Sequence, residues 1–115
     1  MTLDQFYRAA GGSAAETAPR MGGADATRRF LRLFPLDDSF PQLSEALGRG
    51  DVQTAFRAAH TLKGVAANLG LEQLRSLASD MTECLRRGEL SGAQARLAET
   101  EAAYRQVLAA LEELK

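Results

Sequence analysis

What most restricts this chain is its shortage of β-branched residues beside an abundance of Ala, Leu, Arg and Glu. Alanine and straight-chain residues lose little freedom in a helix, whereas strands draw on β-branched and aromatic side chains. Helix is therefore the expected state almost everywhere. Six helical segments are predicted. The first, about Leu3 to Ala10, is capped by Thr2, with Gln5 completing a capping box, and is stopped by Gly11-Gly12. "SAAETAPRMGG" then reads as a weakly structured connection, broken by Pro19 and Gly22-Gly23. A second helix, about Ala24 to Phe34, has Phe30, Leu31, Leu33 and Phe34 as its apolar set and ends at Pro35. The third, about Asp37 to Gly48, starts near Ser39 and buries Phe40, Leu43 and Leu47.

Asp51 caps the fourth helix, which runs to about Asn68 with Gly70 just beyond its end. The fifth, about Leu71 to Arg87, carries Leu74, Leu77, Ala78, Met81, Cys84 and Leu85 at the spacing of a core-facing stripe. Ser91 and Gln94 form a capping box for the sixth, where Leu97, Tyr104 and Leu111 recur every seven residues beside Val107 and Leu108. Three long helices on short connections pack as antiparallel neighbours. With the second and third segments added, the expected fold is all-α: an antiparallel four-helix bundle with an additional short N-terminal helix, as one domain over residues 1–115.

A chain of 115 residues can bury roughly two-thirds of its unfolded surface in one core without a metal or disulfide staple. The net charge of -1 and pI of about 5.8 give no support for a nucleic-acid binder. One cysteine, Cys84, excludes an intrachain disulfide and a Cys-rich metal site, so no metal is expected. The N-terminus is not a signal peptide, and no run approaches the roughly 18 apolar residues of a membrane span. The expectation is a cytoplasmic monomer without membrane contact, free-standing by its initial Met1 and compact ends.

One stretch stands out: "AHTLKGVAANLG", residues Ala59 to Gly70. It holds the only histidine, His60, and one of only two lysines, Lys63. On a helical wheel at about 100° per residue, Val52, Ala55, Ala59, Leu62, Ala66 and Leu69 form one apolar arc. Gln53, Arg57, Thr61, Gly64 and Asn68 lie opposite, and His60 falls with them. His60 is therefore expected to be exposed, with Lys63 and Gly64 beside it and Phe56 one turn earlier at the apolar edge. A lone surface His is ordinarily an accident of composition. The set is harder to dismiss, because Gly in a helix interior costs about 1 kcal/mol relative to Ala. An outward-facing Gly64 has no packing role, so its remaining use is access to the imidazole. Lysine supplies a mobile point charge suited to a phosphoryl oxygen, and a neutral imidazole is a nucleophile that needs no general base. No Gly-rich phosphate loop or kinase motif is present, so a partner must bring both donor and metal.

These residues resemble the signature of histidine-containing phosphotransfer domains, in which His is followed by Lys-Gly and, six residues later, Gly: here His60, Lys63, Gly64 and Gly70. "LFPLDDSFPQLSEALGRGDVQTAFRAAH", "LGLEQLRSLASDM" and "LRRGEL" extend the likeness over nearly the whole chain, least in the first 23 residues. The resemblance implies that His60 accepts a phosphoryl group from the aspartyl-phosphate of a receiver domain and passes it to another receiver. Lys63 would steady the group and Gly64 give access. Partners would be receivers of response regulators or a hybrid histidine kinase, and no cofactor belongs to the chain, since Mg²⁺ comes with the receiver. Several relatives carry a Gln on the next helix that bonds near the phosphohistidine; the matching position here is Thr82, a supporting candidate together with Gly70. Docking would use Phe56, Ala67 and Arg57, with Phe6 or Tyr7 nearby.

Two other readings compete. A helical adaptor that docks a receiver or kinase without being phosphorylated would not need His60, Lys63 and Gly64 together. A stand-alone phosphohistidine phosphatase would need an acid, base or metal constellation that the sequence lacks. The chain is thus expected to be a phosphotransfer intermediate, not an enzyme with its own turnover.

Overall fold

The computed structural model describes residues 1–114. Its helices are α1 (Leu3–Ala10), α2 (Ala14–Arg20), α3 (Ala24–Leu31), α4 (Ser39–Arg49), α5 (Val52–Leu69), α6 (Glu72–Arg86), α7 (Leu90–Ala95) and α8 (Leu97–Glu113), with a single 3₁₀ turn at Phe34–Leu36. No strand occurs among the described residues. α4, α5, α6 and α8 form the bundle. α5 lies between α4 and α6, α8 packs on α6, and α1 closes against α8. The all-α bundle with a short N-terminal helix is the architecture expected from the sequence.

Two similar turns hold α5 between its neighbours. Gly50 and Gly70 both end a helix at φ +72°. In each, the next residue's N–H reaches back five positions, Asp51 to the Ala46 carbonyl (2.9 Å) and Leu71 to the Ala66 carbonyl (2.8 Å). This left-handed stop suits glycine because it carries no Cβ. So tight a reversal leaves the adjacent helices antiparallel. Asp51 then caps α5 as expected, its carboxylate accepting from the Thr54 amide at 3.1 Å. That hydrogen bonding holds the Asp51 carboxyl below its ordinary range. The Thr2–Gln5 capping box is also present on α1.

The core draws on the whole chain, from Leu3, Phe6 and Tyr7 through Leu43, Leu62, Leu74 and Met81 to Leu114. Four expectations need correction. The connection after α1 is the helix α2, capped by Ser13, with Thr17 buried. Tertiary contacts outweigh the cost of Pro19 near its end. The second predicted helix stops at Leu31, and Phe34 reaches the core from the 3₁₀ turn, leaving Phe30 and Leu33 on the surface. The capping box of Ser91 and Gln94 does not form. Helix α7 starts before Ser91, Gln94 instead donates to the Leu47 carbonyl at 2.9 Å, and the chain restarts as α8 after Arg96. On α8 the inward stripe is Thr100, Ala103, Val107 and Ala110, continued by Leu114 just past its end. The seven-residue set flanks it half-buried, with Tyr104 stacked on Phe40 at 4.4 Å. Small residues let the helix axis come close, and the larger ones seal the edges.

Candidate functional site around His60

α5 buries Ala55, Ala58, Ala59, Leu62, Ala66 and Leu69, the arc that the wheel drew except for half-buried Val52 and added Ala58. The opposite face is therefore outward, and His60 stands exposed on it. Its imidazole lies nearly parallel to the half-buried Phe56 ring, 7° between planes and 6.1 Å between centroids. An i, i+4 pair of flat rings on one face restricts the imidazole without covering it. Lys63 is half-buried and makes no hydrogen bond or ion pair among the described residues, so its ammonium stays available. At Gly64 an added Cβ would meet nothing within 4 Å, and φ there is not positive. Neither packing nor backbone geometry requires glycine at this position.

The charge on α5 has one sign. Between Val52 and Leu69 the helix holds Arg57 and Lys63 and no acidic residue, although the whole chain is at -1. Arg57 is exposed and unpaired among the described residues. Arg86, a residue that sequence reasoning did not single out, joins from α6. Its guanidinium carbon lies 5.1 Å from the Phe56 ring centroid, and its Nε donates to Glu83 at 3.2 Å. The sequence signal is faint, because a basic residue in the last turn of a helix ordinarily just complements the helix dipole.

That Arg86–Phe56 contact sets the register of antiparallel α5 and α6. One turn back on α6, level with His60, stand Thr82 and Glu83. Thr82 is at the matching level, but it is 0% exposed and its hydroxyl donates to the Ala78 carbonyl at 2.7 Å. It offers no donor to the His60 surface, which corrects the supporting role expected of it. Gly70 is likewise a structural residue. It sits ten positions from His60, about 15 Å along the axis, and a Cβ on it would come within 2.1 Å of the Thr17 hydroxyl oxygen.

The far end of α5 explains further residues. A helix leaves its last four carbonyls without partners. Here Ala66 accepts from Leu71, and Ala67 from Gly70 and from Arg20 (3.3 Å). Asn68 accepts from Arg20 (3.3 Å) and Leu69 from the Tyr7 hydroxyl (2.7 Å). Arg20 also brings a cation to the negative end of the helix. Burial pushes the Tyr7 hydroxyl up to about 12, against opposing contributions from Thr17 and Arg20. Phe6 (0%) and Tyr7 (1%) are thus core residues, which corrects their place near a docking surface. Half-buried Ala67 borders a depression with Tyr7 and Arg20, so it belongs to the anchored end of α5.

No helix among the described residues is long and apolar enough to cross a membrane. No curated protein and no solved structure matches the chain. A family model described as Hpt domain matches residues 36–115, well over half of the sequence and all of α4 to α8. With the helical bundle and the His60 stretch inside that match, the chain belongs to the Hpt domain family, the histidine-containing phosphotransfer modules of two-component signalling.

Proposed function

We propose that His60 is the phosphoryl-accepting residue, charged by a receiver domain's aspartyl-phosphate and discharged to another receiver. The observation that carries this is the exposed imidazole beside a glycine with open space where a side chain would stand. In the exchange the lone pair of an unprotonated ring nitrogen attacks phosphorus. An N–P bond forms as the P–O bond to the aspartyl carboxylate breaks, and the carboxylate leaves with that electron pair. No proton has to be taken from the attacking atom, so no general base is needed. Lys63 follows the phosphoryl oxygens as a mobile charge, Gly64 leaves the approach open, and Phe56 limits the tilt of the ring. Any Mg²⁺ in the exchange belongs to the receiver. The chain acts as a carrier, with no turnover of its own.

The test is to incubate the protein with Mg²⁺ and receiver domains phosphorylated on Asp, and to look for an acid-labile, base-stable label. Wild type should be labelled and His60→Gln should not. Label of equal strength in His60→Gln would remove the assignment. No label on wild type, either from any receiver of its own cell or from phosphoramidate, would remove the carrier reading.

A further inference from the structure

N-terminal to His60 an open groove of about 480 Å³ runs between α5 and α6. Its lining is apolar at Val52, Phe56 and Leu85 and polar at Gln53, Arg57 and Arg86. Three observations bear on what fits there. Phe56 is both part of the groove and the ring stacked with His60, so an occupant on Phe56 stands next to the reacting imidazole. Arg57 has no partner among the described residues, on a helix without a single carboxylate to offer one. Among the described residues Arg86 is held only by Phe56 and by Glu83, both side chains of that ion pair about half exposed. Such surface pairs contribute little to stability, so Arg86 can leave Glu83 for a better-placed carboxylate. The groove therefore presents an apolar seat between two available guanidinium groups, which suit planar, bidentate carboxylate recognition.

We propose that Arg57 and Arg86 are the residues by which this protein selects its receiver: the preferred partner seats an apolar side chain on Phe56 and presents carboxylates to the two arginines. This rests on the reading of His60 as the phosphoryl carrier. The contact orients the receiver over His60 and acts on encounter more than on chemistry, as charges at an interface rim do.

The experiment measures phosphotransfer to the full chain from a panel of purified receivers, each charged with acetyl phosphate and Mg²⁺, at low and high salt. For the best receiver, Arg57→Glu and Arg86→Glu should each raise KM about tenfold with a far smaller change in kcat. Arg→Lys should fall between, since a point charge keeps the attraction but loses the fork. Wild-type transfer should weaken with salt, and the Glu variants should lose that dependence. Unchanged KM in both Glu variants would overturn the selection proposal and leave the carrier reading standing. Phosphoramidate, too small to dock, separates the remaining cases on wild type. Label from phosphoramidate but from no receiver overturns the docking proposal. Label from neither overturns the carrier reading beneath it. Self-association of wild type that Arg57→Glu abolishes would assign the groove to a second copy instead.

Discussion

Replacing Gly64 with alanine should make the protein more stable and a poorer phosphoryl acceptor. The site lies inside an 18-residue helix, has no positive φ, and leaves a Cβ in open space. The methyl group therefore meets no clash, while the unfolded chain loses freedom and the helix gains propensity. Gly→Ala at such a position is worth up to about 1 kcal/mol. With an unfolding entropy of about 2.1 cal/mol/K per residue over this length, that is a rise in Tm of roughly 4 °C. The same methyl group stands one turn from the imidazole, where the proposed reading brings in the phosphoryl group and its donor. Displacement of the reacting groups by a fraction of an ångström should slow transfer roughly tenfold. Thermal melts followed by circular dichroism give the first quantity, and receiver-to-His60 transfer rates give the second. A fall in Tm would mean that Gly64 has a structural duty this packing does not contain. A rise in Tm with undiminished transfer would refute the access argument, because the glycine would then be a cost without a use.

Three further outcomes follow from the anchored end of α5. Tyr7→Phe removes the donor to the Leu69 carbonyl and should cost about 1–3 kcal/mol in urea unfolding; a loss under about 0.5 kcal/mol would show that water takes over the bond. Gly70→Ala places a side chain at φ +72° against Thr17 and should destabilise the bundle, while the folded fraction still takes label on His60; loss of labelling in fully folded protein would return Gly70 to the site. Alkaline titration should weaken the fold. The folded chain keeps the Tyr7 proton to about 12 against an ordinary 10.0, so it binds more protons than the unfolded chain across that window, and stability drops as pH rises through it. Tyrosinate absorbance and unfolding free energy at stepped pH check this. Tyr104, shifted in the same direction by burial and by Asp37, is separated by comparing Tyr7→Phe with Tyr104→Phe; a Tyr7→Phe protein with an unaltered alkaline slope would refute the assignment.

Local rules read best where a residue's role depends on its neighbours in sequence. The His60 face of α5 was legible because the periodicity of one long helix decides which side is buried, whatever packs there. The stop at Gly70 and the cap at Asp51 were legible for the same reason. Failures came where distant parts of the chain decide. α2 is held by Thr17 and Arg20 against the end of α5, a contact that Pro19 and the glycines gave no hint of. Gln94 matched a capping-box spacing but serves Leu47 on α4. Thr82 was placed at the right level on α6, yet Ser and Thr in helices often bond back to the carbonyl four residues earlier, and alignment by motif does not say which way a side chain turns. Arg86 entered the site only through the register of two helices.

The caps on α5 have a consequence for motion. An ordinary helix end frays, and its amides exchange with solvent ahead of the middle. In α5 the closing carbonyls are bound by Tyr7 and Arg20, which precede the family-matched segment starting at residue 36. Opening the last turn therefore requires detaching part of α1 and α2, so the two events become one cooperative step. The imidazole of His60 rides on a lever pinned at its far end by the first 20 residues of the chain. The helix that carries His60 is thus tied at its C-terminal end to segments outside the matched region.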